Sequence, residues 1–435
     1  MTRTRRLWTG LLVCLGVLLL AGAILVALVP SDEALALRFA AALQATLGVK
    51  VSIGAVHWQV LPVPVVVIEN AATLQPQPVV IKKLTLFLDA NALLRRSLKI
   101  NRADLEGALV PQLSLRELGI HGGGAPLPGS FVAAELLLAR FEFRDVTWIS
   151  RRGIAVVYAG EADFDPQWRP RAFELRRPGV QPPVDFKLTR QGAQDSWTLG
   201  IVLGGGTANG QAQLQTLPNG RLRLAGRLQP RGVELASALS AFNLRPVIFG
   251  RASGETRLSA SGGTALDLAQ TLRTETAFNL QPATLLRFDL EKAVRSAGKE
   301  HAGQTRLDSV AGQLDTQNTQ QGMVLVFSRL QARSGVLSAS GEATLANQHV
   351  KAALAVDLVE GVVGVPLTLS GPTDAVRVSV PGGAVAGAVV GTAVLPGVGT
   401  VIGARLGAAL GRVFGAGQTG NGQLPSAKRA PQNAP

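Results

Sequence analysis

Residues 221 to 228 read Arg221-Leu222-Arg223-Leu224-Ala225-Gly226-Arg227-Leu228, which puts Leu222, Leu224 and Leu228 on one side and the three arginines on the other. A period of two belongs to a β-strand with one apolar face, because successive side chains of an extended chain point to opposite sides. The same alternation recurs along the chain. In Leu84-Thr85-Leu86-Phe87-Leu88-Asp89 the leucines at 84, 86 and 88 share a face, and Phe141 and Phe143 alternate with Arg140, Glu142 and Arg144. Turn-forming clusters such as Pro218-Asn219-Gly220, Ser261-Gly262-Gly263 and Gln317-Asn318 punctuate these runs at short intervals, the pattern of an all-β chain. We expect strands from Val49 to about Val380.

Helical periodicity is brief: Leu35, Phe39, Leu43 and Leu47 after an N-cap at Ser31, then Leu235, Leu239 and Phe242, then Leu286, Leu290 and Val294. So few helices cannot cover such a sheet. Its apolar face must pack on a second sheet, close on itself, or form a groove filled by some other apolar body. Leu84, Leu86, Leu88, Phe141, Phe143, Leu222, Leu224 and Leu228 are the residues expected to line that groove.

The N-terminus narrows the choice of occupant. Arg3, Arg5 and Arg6 precede an uncharged run from Leu7 to Val29, long enough to cross a hydrocarbon core, which takes about 20 apolar residues. Leu7, Trp8, Leu11, Leu12, Leu15, Leu18, Leu19, Leu20, Ile24 and Leu25 are the expected anchor residues. A cleavable signal is the rival, since Ala21-Gly22-Ala23 offers small residues, but the apolar run continues past that site. Cys14 invites a lipoprotein reading, which Val13 disfavours. Arginines before the span place the N-terminus in the cytoplasm and the body on the other side, in a bacterial envelope the periplasm.

The chain has 435 residues, 47% of them hydrophobic and 17% charged, which argues against bulk disorder. Forty-three Lys and Arg against 29 Asp and Glu give a net charge of +14, suited to anionic partners. The expected topology favours lipid head groups over nucleic acid, and basic residues interleaved with aromatics occur only near Trp168 and Phe173. Cys14 is the sole cysteine, so no disulfide framework exists, and the four histidines are scattered, so the usual zinc and iron-sulfur spacings are absent. His121-Gly122-Gly123-Gly124 echoes an esterase oxyanion loop without the Gly-x-Ser-x-Gly elbow it requires. Asp163 and Asp165 could pair in acid-base work but stand in a turn before Pro166. Neither makes a case for an enzyme, and no cofactor is implied.

Several segments, in order, resemble the AsmA family. Val51-Ser52-Ile53-Gly54-Ala55-Val56-His57-Trp58, Leu61-Pro62 and Val67-Ile68-Glu69-Asn70 are similar to the family's opening behind its single membrane helix. Ile81-Lys82-Lys83-Leu84, Leu93-Leu94-Arg95-Arg96-Ser97-Leu98-Lys99-Ile100 and Ala103-Asp104-Leu105-Glu106-Gly107 continue it. Gly232-Val233-Glu234-Leu235, Gly254-Glu255-Thr256-Arg257-Leu258, Phe288-Asp289-Leu290 and Leu307-Asp308-Ser309-Val310-Ala311-Gly312 resemble its C-terminal module. Gly335-Val336-Leu337, Gly341-Glu342-Ala343-Thr344-Leu345 and Val365-Pro366-Leu367-Thr368-Leu369-Ser370-Gly371-Pro372 complete it. The segment from Arg177 to Gly204 matches nothing diagnostic.

The resemblance implies an inner-membrane-anchored, periplasm-facing protein whose elongated, bent antiparallel sheet forms a lipid groove, linked to phospholipid movement between inner and outer membranes. The expected divisions are 1–30 (cytoplasmic N-terminus and anchor), 31–180 (N-terminal β module with a membrane-proximal helix), 181–380 (C-terminal β module), 381–416 (apolar, glycine-rich) and 417–435 (disordered tail). About twenty strands in series would span on the order of 95 Å, short for an envelope without a partner or an oligomer.

In the glycine-rich part, Gly383, Gly387 and Gly391 and then Gly399, Gly403, Gly407 and Gly411 keep a four-residue beat, which suits close helix packing in a hairpin. A small-residue tail packed on the sheet is the alternative. The functional expectation is a non-enzymatic phospholipid carrier, with an outer-membrane or periplasmic protein partner engaged through this segment. The rival is an assembly scaffold for outer-membrane proteins.

Overall fold

A computed structural model describes residues 40–41, 44, 48–59, 62–116, 132–166, 169–192, 194–263, 265–319, 322–358 and 362–380. They form one long mixed sheet of 21 strands with a few short helices. The first nine strands are β1 (Val51–Gln59), β2 (Val65–Thr73), β3 (Val80–Leu88), β4 (Ser97–Pro111), β5 (Val132–Ile149), β6 (Ala155–Phe164), β7 (Pro170–Arg176), β8 (Asp185–Arg190) and β9 (Ser196–Leu203). Then come β10 (Gly206–Thr216), β11 (Leu222–Arg231), β12 (Val233–Glu234), β13 (Ile248–Gly262), β14 (Arg273–Leu286), β15 (Gln304–Leu307) and β16 (Ser309–Thr319). The last are β17 (Gly322–Arg333), β18 (Leu337–Ala346), β19 (His349–Leu358), β20 (Val362–Pro372) and β21 (Arg377–Ser379).

Each strand pairs with its neighbours in sequence, so the chain folds as a serial meander. β11 and β12 together face β13, and β15 and β16 together face β14. The sheet continues across residue 180, where Arg176 of β7 stands opposite Asp185 of β8. One pairing corrects the expectation of a purely antiparallel sheet: β4 and β5 run parallel, from Ser97 opposite Val132 to Pro111 opposite Ile149. Two antiparallel strands can be joined by a tight turn, whereas a parallel pair needs a crossover that returns the chain to the same end. The 20 residues from 112 to 131 between β4 and β5 are long enough to do that.

Among the described residues four α-helices interrupt the meander, α1 (Ala90–Leu94), α2 (Leu235–Ser240), α3 (Ala265–Thr271) and α4 (Leu290–Arg295), with one 3-10 turn at Ser114–Arg116. Three start at a carboxylate cap. Asp89 accepts from the Ala92 N–H at 3.0 Å, Glu234 from Ala236 at 3.0 Å and Ser237 at 2.6 Å, and Asp289 from Lys292 at 2.9 Å, each satisfying otherwise orphaned helix N–H groups. The Ala92 N–H, against some burial, holds the Asp89 carboxyl below its usual range. Burial pushes Glu234 up, and the donors from Ser237, Ala236 and Gly250 together overcome it and hold it below. α2 and α4 fall where the Leu235 and Leu290 periodicities placed helices, although Leu286 ends β14 instead of joining α4.

In β1 to β5 the alternation slips by one residue along a transverse crease. Inward positions run Val66, Ile68, then Ala71 on β2, and Ala103, then Ala108 on β4. At the slip Asn70 and Asp145 adopt φ of 54° and 55°, and Gly107 φ of 66°. Gly107 is required there for room as well as for its backbone. A Cβ would lie 2.5 Å from Lys82 Cδ, and Lys82 reaches from β3 across β4 to Asp145 of β5, 3.6 Å away.

No helix of the described residues is long and apolar enough to cross a membrane. The expected anchor residues from Leu7 to Leu25 and the glycines from Gly383 to Gly411 lie outside the described residues. Of the expected membrane-proximal helix, Ala40, Ala41 and Gln44 are described, and they are helical.

Candidate binding face

Cross-strand partners share a face, so the register identifies what each side of the sheet presents. Trp58 stands opposite Val66, Val66 opposite Leu86, and Leu86 opposite Ala103. The row continues through Phe141, Ala162, Phe173, Leu188 and Leu199 to Gly210 and Leu228. From there it passes Thr256, Thr276, Leu314, Phe327, Ala343, Ala352 and Leu369 and ends at Val378. This row crosses the sheet from β1 to β21 with two threonines as its only polar side chains.

All eight expected groove residues lie on this one face. Leu86, Phe141 and Leu228 are in the row itself. Leu84 and Phe143 face each other through Leu105 of β4. Leu88 follows them along β3, and Leu222 and Leu224 lie on β11, opposite Gly262 and Ala260 of β13. Phe141 stacks on Phe143 at 5.6 Å between ring centroids, Phe173 meets Phe186 at 5.8 Å, and Phe278 meets Phe327 at 6.4 Å. Sequence reasoning missed Phe173, Phe186, Leu188 and Leu258, which lie on the same face; their strands alternate as cleanly as 221 to 228.

The opposite face is charged. Beside the row run Thr85, Asp104, Glu142, Glu161, Glu174 and Lys187. Arg140 donates to Glu142 at 2.8 Å and Glu161 at 2.6 Å, with Asp163 at 3.4 Å, and the Glu142 hydrogen bond raises its pKa further. Lys83 pairs with Glu69 at 3.5 Å and Arg144 with Glu106 at 2.9 Å. Arg144 holds the Glu106 carboxyl below its usual range. Asp163 and Asp165, the candidate acid-base pair, belong to different clusters. Asp165 is buried and accepts from Arg190 and from the Arg169 N–H, while Asp195 accepts from both arginine side chains. A carboxylate held by arginine is a poor proton carrier, so this arrangement ties the β6–β7 and β8–β9 turns together.

Burial divides the apolar face into three parts. Near β1 to β3, Val56, Val66, Ile68 and Leu88 form one buried cluster. Near β18 to β20, Leu337, Val356, Val365 and Leu367 form another with Leu290, Ala293 and Val294 of α4. Between them Phe141, Phe143, Phe173, Leu188, Leu222, Leu224, Leu228 and Leu258 are half-buried and belong to neither cluster. The middle of the face thus alternates half-buried large side chains with buried residues such as Ala103, Ala162, Leu199 and Thr256, so it is incompletely covered in patches.

No protein-family model matches this chain, and neither a curated protein nor a solved structure matches it.

Proposed function

We propose that this chain is an AsmA-like, non-enzymatic carrier or conduit for phospholipid, anchored in the inner membrane with its body in the periplasm, and that it contributes to outer-membrane homeostasis. The observation that carries this reading is the apolar row from Trp58 to Val378, in whose middle strands the large side chains Phe141, Phe173, Leu188 and Leu228 are only half-buried. A soluble protein rarely leaves a large contiguous apolar surface without an occupant. An acyl chain suits a long strip whose polar side chains are two threonines bonded to each other, since each buried CH2 contributes about 0.8 kcal/mol and needs no specific contact.

Two features support a bent sheet with the apolar face on its inside. Leu290 at the head of α4 is tied to Thr305 of β15 at 2.9 Å, and Gly298 lies against Val378 of β21, where a Cβ would be 3.1 Å from the carbonyl oxygen. α4 and the three residues after it therefore bridge β15 to β21 over the apolar face, where Leu290, Ala293 and Val294 close that end of it. Gly254, on the apolar face, points the same way: a Cβ there would run into the Ala277 carbonyl of the next strand, as happens where a sheet folds tightly toward that side.

The meander would extend about 85 Å along its stacking direction, so passage between membranes requires a partner or a second copy. The test is native mass spectrometry of the full-length chain, purified in a detergent free of phospholipid. Stoichiometric phospholipid is expected. A folded, lipid-free chain that holds protein partners would replace the carrier with the scaffold reading.

A further inference from the structure

Arg177 immediately follows β7 at the rim of the sheet from which α2 and α4 depart. Its neighbour Arg176 points to the charged face and has Glu174 at 3.8 Å. Arg177 falls on the apolar face, and its guanidinium lies over the ring of Tyr158 of β6, 5.8 Å from the centroid. Its Nε and Nη1 are buried without a hydrogen-bond partner, and among the described residues no carboxylate lies within ion-pair distance of it. Burial pushes the Tyr158 phenol up while the Arg177 charge pulls it down. On the same rim Asn243, just past α2, donates to the carbonyl of Ala155 at the start of β6 at 2.6 Å, which ties the α2 end of the rim to the strand that carries Tyr158.

Arg177 is half-buried, and guanidinium donors drawn out of water are costly unless an anion meets the group, whose fork of N–H donors matches the oxygens of a phosphate. We infer that Arg177, backed by Tyr158, is a seat for the phosphate group of a phospholipid whose acyl chains lie on the adjoining apolar face. This rests on the carrier reading for the chains, but the seat itself is a phosphate site whether the anion is a lipid head group or free phosphate. Its position suits the division of an amphiphile, with chains along the half-buried middle of the face and the charged group at the strand ends, beside water.

The experiment uses the full-length chain, stripped of lipid by detergent exchange, and three probes: phosphatidylglycerol, diacylglycerol with the same acyl chains, and inorganic phosphate alone. Arg177→Met should lower phosphatidylglycerol retention about tenfold and leave diacylglycerol retention unchanged. Tyr158→Phe, which keeps the ring, should retain most of the binding. Arg176→Met on the other face should behave as the unaltered protein. Loss of inorganic phosphate binding in Arg177→Met, with no difference between the two lipids, would keep the seat and assign it to the free anion.

If Arg177→Met does not fold, Arg177→Lys keeps the charge and loses the fork, and it should give an intermediate loss. Phosphatidylglycerol and phosphate binding that are unaltered in the folded variants would overturn the inference. Absence of both lipids from every protein would count against the carrier reading, while the phosphate arm would still decide the seat.

Discussion

Leu228→Asp is expected to empty the protein of lipid while leaving it folded. Leu228 sits in the middle of the apolar face, between Gly210 of β10 and Thr256 of β13, so an occupant passing along the row must cross it between two small neighbours. A carboxylate there keeps its water, and desolvating it against an acyl chain would cost several kcal/mol, comparable to burying several CH2 groups. The fold tolerates the change because Leu228 is half-buried and lies outside both buried clusters. Lipid extraction should recover less than a tenth of the phospholipid held by the unaltered chain, with the circular dichroism spectrum retained. Gln229→Asp, one residue along and on the charged face, should change nothing. Equal lipid in both variants would mean that the face is wrongly assigned.

The second large effect concerns stability at the covered end. Leu367 is 1% exposed, stands opposite Leu354 of β19 and packs in the cluster that α4 seals. Leu367→Ala removes buried methyl groups where strands and helix fix the surroundings, so it should cost about 3 kcal/mol, within the range for cavity-forming Leu→Ala changes. Leu228→Ala should cost less, about 1 kcal/mol, because Leu228 is only half-buried and lies outside both buried clusters. Urea unfolding of the two variants measures the contrast. Similar losses would show that the middle of the face is as closed as its end and leave no room for an acyl chain.

Much of this architecture is legible from period-two patterning alone. Residues 222 to 231 alternate between half-buried and exposed without a break, as the leucines and arginines there require, and the eight residues chosen from such runs fall on one face. The crease across β1 to β5 is hidden in the sequence, because β2 to β5 break their alternation at residues that look like a turn or a solvated patch: Glu69-Asn70, Lys82-Lys83, Glu106-Gly107 and Arg144-Asp145. In register they stack, Glu69 against Lys83 and Lys83 against Glu106, and only pairing reveals that.

The parallel β4–β5 step was equally hidden, since alternation carries no direction. The sequence marks Arg177 only as the end of a basic run from Arg169, suited to anionic head groups or to a solvated surface. In Glu174-Leu175-Arg176-Arg177 the last residue resembles one more surface cation, and its side of the sheet follows only from the partners of β7. Patterning cannot name an occupant for the face; the proposed one rests on the uncharged N-terminal run and on the resemblance of successive segments to the AsmA family.

The most direct measurement is site-specific photocrosslinking in cells, with a benzophenone amino acid placed at Leu228 and, separately, at Gln229. Adjacent residues on opposite faces share depth, strand and expression, so they differ only in the side they sample. Phospholipid adducts at 228 and none at 229 are the expected result. Adducts at neither position, or equal adducts at both, would contradict the claim that acyl chains lie along the apolar face.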